Sequence, residues 1–241
     1  MDPKMDHLLG VGVMMSRETL YGLPSKWAAA FPPKESVASI FIDHPGVYNV
    51  LHYADYDNAS DAKDFRKALS YGGPHVNAMQ FDMIWPNPCE IAEALGRDNS
   101  GPHPIKVILQ VGRKAIALYD NNIGRIIEVL KLYRALNCLD YVLLDKSSGG
   151  GKEMDSELLL SYHKAIRRHF SREELQIVVA GGLGPESLDR LLAPFRRDDA
   201  YLDISIDAQG KLRSSGNSLD PVDWDMAAAY YERAVQYFGW A

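Results

Sequence analysis

The chain has 241 residues, 46% of them hydrophobic and 24% charged, with a formal net charge of -6. That balance is ordinary for a globular enzyme, and the length is enough to bury a large core. The negative charge excludes a basic nucleic-acid-binding surface as the dominant feature and argues equally against an anionic membrane as the main partner.

In chain order, short apolar runs alternate with longer segments of helical period. The spacing predicts strands at Leu8–Met14, Val37–Ile42, Val47–Tyr53, Val76–Phe81, Ile105–Val111, Tyr141–Leu144, Gln176–Ala180 and Tyr201–Ile206. Helices are predicted at Asn122–Leu136, Asp155–His169, Pro185–Leu192 and Asp220–Phe238. The first of these carries Ile123, Ile126, Ile127, Leu130 and Leu136 on a broad apolar face. Gly184-Pro185 and Asp220-Pro221 place a proline where a first helical turn tolerates it. Strands alternating with helices imply βαβ units and a parallel sheet. Eight strands in a chain of this size predict one domain over 1–241, an α/β protein of the (β/α)8 TIM-barrel class. Only Asp43-His44-Pro45-Gly46 separate the second and third predicted strands. A parallel crossover needs about 10–12 residues, so the N-terminal quarter is expected to be irregular.

Strands buried on both faces read as continuous apolar runs. Here polar residues alternate into several strand ends, as they do at a barrel mouth. Gln80 and Asp82 share a face, as do Lys106 and Gln110, and Asp203 lies with Ser205 and Asp207 opposite Leu202, Ile204 and Ile206. Gln80, Asp82, Lys106, Gln110, Lys152 and Asp203 are therefore candidate pocket residues.

Two segments carry more specific chemistry. Val179-Ala180-Gly181-Gly182-Leu183-Gly184-Pro185 runs from a strand through glycines into a helix start. Glycine lets backbone approach a ligand closely, and a helix N-terminus favours an anion. The loop after the seventh barrel strand is a common phosphate site. Asp145 ends an apolar strand and precedes Lys146-Ser147-Ser148-Gly149-Gly150-Gly151-Lys152. A carboxyl there suits proton transfer, and Lys152 on a closing loop would reach an anion. The spacing is not that of a Walker A loop.

Leu144-Asp145 through Asp155, then Ala180-Gly181-Gly182-Leu183-Gly184-Pro185-Glu186, then Leu202-Asp203-Ile204-Ser205, resembles the phosphoribosylanthranilate isomerase family of tryptophan biosynthesis. Asn77-Ala78-Met79-Gln80-Phe81 resembles its NAVQLHG strand. The resemblance implies a cofactor-free Amadori rearrangement of a phosphoribosyl arylamine. Asp145 would be the general acid, and Gly181, Gly182 and Ser205 would hold the phosphate. The family's first-strand cysteine base has no counterpart in Leu8–Met14, and its carboxylate-binding basic residue has no clear match. The base is therefore expected to be a different group.

The residues also admit an epimerase or carbon–carbon lyase using a metal or Lys106 as a Schiff-base amine, or a non-catalytic phosphometabolite-binding protein. His44, His52, Asp55 and Asp57 gather Asp and His near two strand ends, but surface roles are the default and no metal site is assigned. The expected partner is a small phosphorylated substrate, without nucleic acid or membrane. Cys89 and Cys138 lack metal or CxxC spacing and read as reduced thiols. Met1–His7 does not resemble a signal peptide, so a cytoplasmic location is expected.

Overall fold

The computed structural model describes residues 8–25, 27–55, 57–83, 85–97, 104–145 and 153–239. One seven-stranded sheet runs in the order β1 (Leu9–Ser16), β2 (Val47–Asp55), β3 (Ala78–Met83), β4 (Lys106–Gly112), β5 (Tyr141–Asp145), β6 (Gln176–Ala180) and β7 (Ser205–Asp207). Every described strand pairing is parallel. Nine helices punctuate the described chain: α1 (Arg17–Tyr21), α2 (Val37–Ile40), α3 (Ala62–Gly72), α4 (Pro88–Leu95), α5 (Arg113–Leu118), α6 (Ile123–Ala135), α7 (Ser156–Arg167), α8 (Leu188–Arg197) and α9 (Trp224–Phe238). No described helix is long and apolar enough to cross a membrane. The contacts divide the chain into two compact units. The first comprises the residues up to Gln110 with Glu128–Asp140, and the second comprises Val111–Ile127 with the residues from Tyr141 onward.

The expected strand at Val37–Ile42 is a helix. Val37 and Phe41 are buried, whereas Ile40 and Ile42 are more than 40% exposed. Buried residues four apart mark a helical face, whereas a strand would bury alternate positions. This removes the short crossover. Asp43–Gly46 is a tight turn closed by Val47 N donating to His44 O at 3.0 Å, and the path from β1 to β2 includes α1 and α2. Three further elements carried signals in their caps. Asp61 accepts from Lys63 N and Asp64 N, and Asp64 returns a bond to Asp61 N in a capping box that starts α3. Asn87 caps α4 with Pro88 at its first position. Ser16 caps α1.

In the first unit, β1–β3 bury Val13, Met15, Leu51, Tyr53, Met79 and Phe81 against the helices. Tyr53, Phe65 and Phe81 pack edge to face, with centroids 5.6 and 5.0 Å apart. Asn49 is buried but fully bonded. It accepts from Ile42 N at 3.2 Å and donates to Ile42 O and His75 O at 2.9 Å each, and its backbone N–H donates to Asn77 Oδ1 at 2.7 Å. One side chain thus fixes the entry to β2 against the entry to β3, which is how a buried amide avoids its desolvation cost.

In the second unit, β5 and β6 are apolar runs buried on both faces, and α7 and α8 cover them with Leu159, Leu160, Ile166, Leu188, Leu191 and Phe195. Asp155 caps α7, accepting from Leu158 N at 3.1 Å. The predicted last strand is shifted. Ala200–Asp203 is a turn of 3₁₀ helix, and β7 begins only at Ser205.

Candidate functional site

Because the paired strands are parallel, each unit collects its strand C-termini at one end, where side chains of neighbouring strands come into register. In the second unit β6 and β7 pair Ala180 with Asp207, and β5 and β6 pair Leu144 with Val179. A small cleft at this end is lined by Asp145, Ala180, Gly181, Gly182, Leu183, Asp207, Ala208, Gln209, Gly210 and Lys211. Asp145 is only 6% exposed. Three of its lining residues are charged: Asp145, Asp207 and Lys211. A substrate held there meets two groups able to move protons and one cation able to hold an anion.

The glycine pair turns out to serve the chain itself. Gly181 and Gly182 have φ of 119° and 71°, which side-chain-bearing residues rarely adopt. The space in front of them is filled by the segment preceding α7. Met154 N donates to Gly181 O at 3.0 Å, and a Cβ on Gly182 would lie 2.8 Å from Glu153 Cα. Glu153 is held in turn by Arg190, at 2.6 and 2.9 Å, and that guanidinium keeps its carboxyl below the ordinary value. Ser187 Oγ donates to Gly182 O at 2.7 Å. The expected helix start at Pro185 moves to Leu188, so Pro185 lies in the turn that leads to α8. Gly182→Ala is expected to lose about 1–3 kcal/mol from backbone strain and crowding. Gly96→Ala, with φ 60° and open space at its Cβ, is expected to lose less, and urea unfolding of both variants compares them.

In the first unit, three predicted residues converge with one weighed only as a metal ligand. Gln80 Nε2 donates to Gln110 Oε1 at 3.3 Å and lies 3.4 and 3.5 Å from the two ring nitrogens of His52. His52 Nε2 is 3.5 Å from Asp82 Oδ2. The other members of the Asp and His group lie elsewhere. His44 accepts from Gly46 N at 3.0 Å, and Asp55 accepts from Asp57 N and Ser60 N at 3.1 and 2.7 Å. Among the described residues no three His, Cys, Asp or Glu side chains converge as a metal site would require.

Three pocket expectations are corrected. Lys106 begins β4, at the opposite end of the strand from the mouth, and pairs with Asp140 at 3.2 Å. A Schiff-base lysine needs an unpaired, desolvated amine, and its side chain is 40% exposed in that ion pair. Asp203 lies before β7 rather than on it. It accepts from Arg167 and faces His163 Nε2 at 3.0 Å; burial is the main reason that His163 has a lowered pKa. Ser205 is exposed, pairs in register with Val178, and is absent from the cleft lining, which Asp207 joins instead. Lys152 lies outside the described residues. Trp85 belongs to the core, donating to Gln110 O at 2.7 Å and meeting Tyr133 edge to face. Cys138 is buried, which pushes its thiol to about 11, so it is a poor base. Alternation puts Asp207 on the polar face of the last predicted strand without making it a candidate, and misses Lys211, because that strand is placed too early in the sequence.

No protein-family model and no curated protein sequence matches the chain. Solved structures do. A phosphoribosyl anthranilate isomerase from Thermus thermophilus superposes with a TM-score of 0.57 at 13% identity, over 95% of this chain and 88% of that one. An N-(5'-phosphoribosyl)anthranilate isomerase from Pyrococcus furiosus gives 0.55 at 16%, over 97% and 91%. TrpF from Jonesia denitrificans gives 0.54 at 17%, over 99% and 94%. Likeness at such identities establishes the fold alone, an α/β barrel with seven described strands where eight were expected.

Proposed function

We infer that the chain is a cofactor-free isomerase of a small phosphorylated, sugar-type metabolite, bound at the cleft of the second unit. The observation that carries this reading is the position of Asp145. It is a nearly buried carboxyl at a strand C-terminus, sharing one cleft with the Gly181–Leu183 turn and Lys211. A proton donor beside a cation and a glycine turn is the combination that opens a sugar ring while its anionic group is held. Asp145 gives its proton to the ring oxygen, the bond from that oxygen to the anomeric carbon breaks, and the open-chain form then isomerises. Lys211 holds the phosphate. The substrate of the superposed isomerases, N-(5'-phosphoribosyl)anthranilate, is the first compound to test. The resemblance of Leu144–Asp155 and Ala180–Glu186 to that family supports the same choice.

The Schiff-base version of the lyase reading is disfavoured by the pairing of Lys106 with Asp140. The test is an assay of the purified protein with freshly made N-(5'-phosphoribosyl)anthranilate, following loss of its fluorescence, and with ribose 5-phosphate, following ketose formation. Turnover of either above the uncatalysed rate is expected. A folded protein that binds inorganic phosphate and converts neither compound would overturn the isomerase reading in favour of a phosphometabolite-binding protein.

A further inference from the structure

The isomerisation needs a group that removes a proton from carbon, and β1 offers no cysteine for it. We propose that Asp207, at the end of β7, is that general base, acting with Asp145 across the one cleft both line. This inference rests on the isomerase reading above.

Three observations carry it. First, β7 pairs with β6 so that Asp207 stands opposite Ala180, the strand residue that leads into the Gly181 turn. It therefore joins the lining with Asp145, whereas Ser205, two residues earlier, does not. Second, the two carboxyls differ in setting. Asp145 is almost enclosed, and Asp207 is exposed. Acid and base roles are divided by such differences in environment. Third, α9 places Tyr230 close enough to Asp207 for the carboxylate charge to act on it. The Tyr230 hydroxyl is buried without a hydrogen-bond partner, and burial followed by the Asp207 charge raises its pKa well above the ordinary phenol value. The phenol stays neutral beside Asp207 and does not compete as a base. The remaining charged group of the lining, Lys211, is placed to hold the anion.

The step balances without a co-reactant. The Asp207 carboxylate takes the proton from C2 of the open-chain aldose or its arylimine. The C–H electron pair forms a C1=C2 bond, and the former C1=O or C1=N pair moves to the heteroatom; an imine protonated on nitrogen becomes neutral, and a carbonyl oxygen takes back from water the proton that the anomeric hydroxyl gave up on ring opening. The Asp145 carboxylate left by ring opening then takes the C2 hydroxyl proton as the C2 carbonyl forms, which restores the acid. The proton on Asp207 passes to C1, which returns the carboxylate to its starting state.

The experiment compares wild type, Asp207→Asn, Asp207→Ser and Asp207→Glu with N-(5'-phosphoribosyl)anthranilate and ribose 5-phosphate. Binding of inorganic phosphate is followed by ³¹P NMR, and folding by circular dichroism. The expected result is a fall in kcat of about 10²–10⁴-fold for the Asn and Ser variants with phosphate binding kept. Residual activity is expected in Asp207→Glu, with a larger isotope effect for substrate deuterated at C2. An active wild type whose Asn and Ser variants both stay within a few-fold, with no change in isotope effect, overturns the assignment to Asp207 and leaves the isomerase reading intact. A wild type inactive on both compounds overturns the isomerase reading and this inference with it.

Discussion

Replacing Asp145 by asparagine is expected to lower turnover of N-(5'-phosphoribosyl)anthranilate by at least the ~10²–10⁴-fold typical of a lost general acid. Asparagine has nearly the same shape, so the packing around β5, where Val142, Leu143 and Leu144 are buried, is kept. The amide N–H is far too weak an acid to protonate a ring oxygen. Binding of inorganic phosphate is expected to survive, because the cation proposed to hold the anion, Lys211, is unchanged by the substitution. The loss should therefore appear in kcat rather than in KM, which marks an interaction made in the transition state. Turnover unchanged in the folded variant would remove Asp145 from the reaction.

The largest stability effect is expected at Arg97. Its side chain is 1% exposed and donates to Asp140 Oδ2 at 3.2 Å and to Ile105 O. Asp140 also accepts from Lys106 Nζ at 3.2 Å and from Val107 N at 2.9 Å. Removing one partner of a buried pair typically costs about 3–5 kcal/mol, because the other charge is left desolvated. Asp140 keeps Lys106 and one backbone donor, so Arg97→Leu is expected near the lower limit, about 3 kcal/mol. Urea unfolding of Arg97→Leu, Asp140→Leu and the double variant tests this. If the pair is the cause, the double variant loses much less than the sum of the single losses. Strict additivity would assign the loss to packing instead.

Strands β1 to β6 were legible within two residues because each is a largely apolar run, a signal local to the sequence. α2 was misread because Val37, Phe41 and Ile42 satisfy both a short strand and a single helical turn, and only burial separates the two. Asp145 and the Gly181-Gly182 turn were legible because each sits at the end of such a run. Lys106 and Asp203 were drawn to the mouth by alternation alone. Lys106 begins β4 and so stands away from the strand C-termini, where it pairs with Asp140, and Asp203 precedes β7, where it meets His163 and Arg167. The cluster of His52, Gln80, Asp82 and Gln110 was only half visible, since register between strands has no local code.

The first unit is not a continuous stretch of polypeptide. Its Glu128–Asp140 segment returns after residues that belong to the second, and that segment supplies the carboxylate that meets Arg97. A single cut after Gln110 would therefore release a fragment containing a buried guanidinium and lacking its counter-ion. The two units are threaded through one another along the chain, so neither can be obtained intact by trimming the gene from one end.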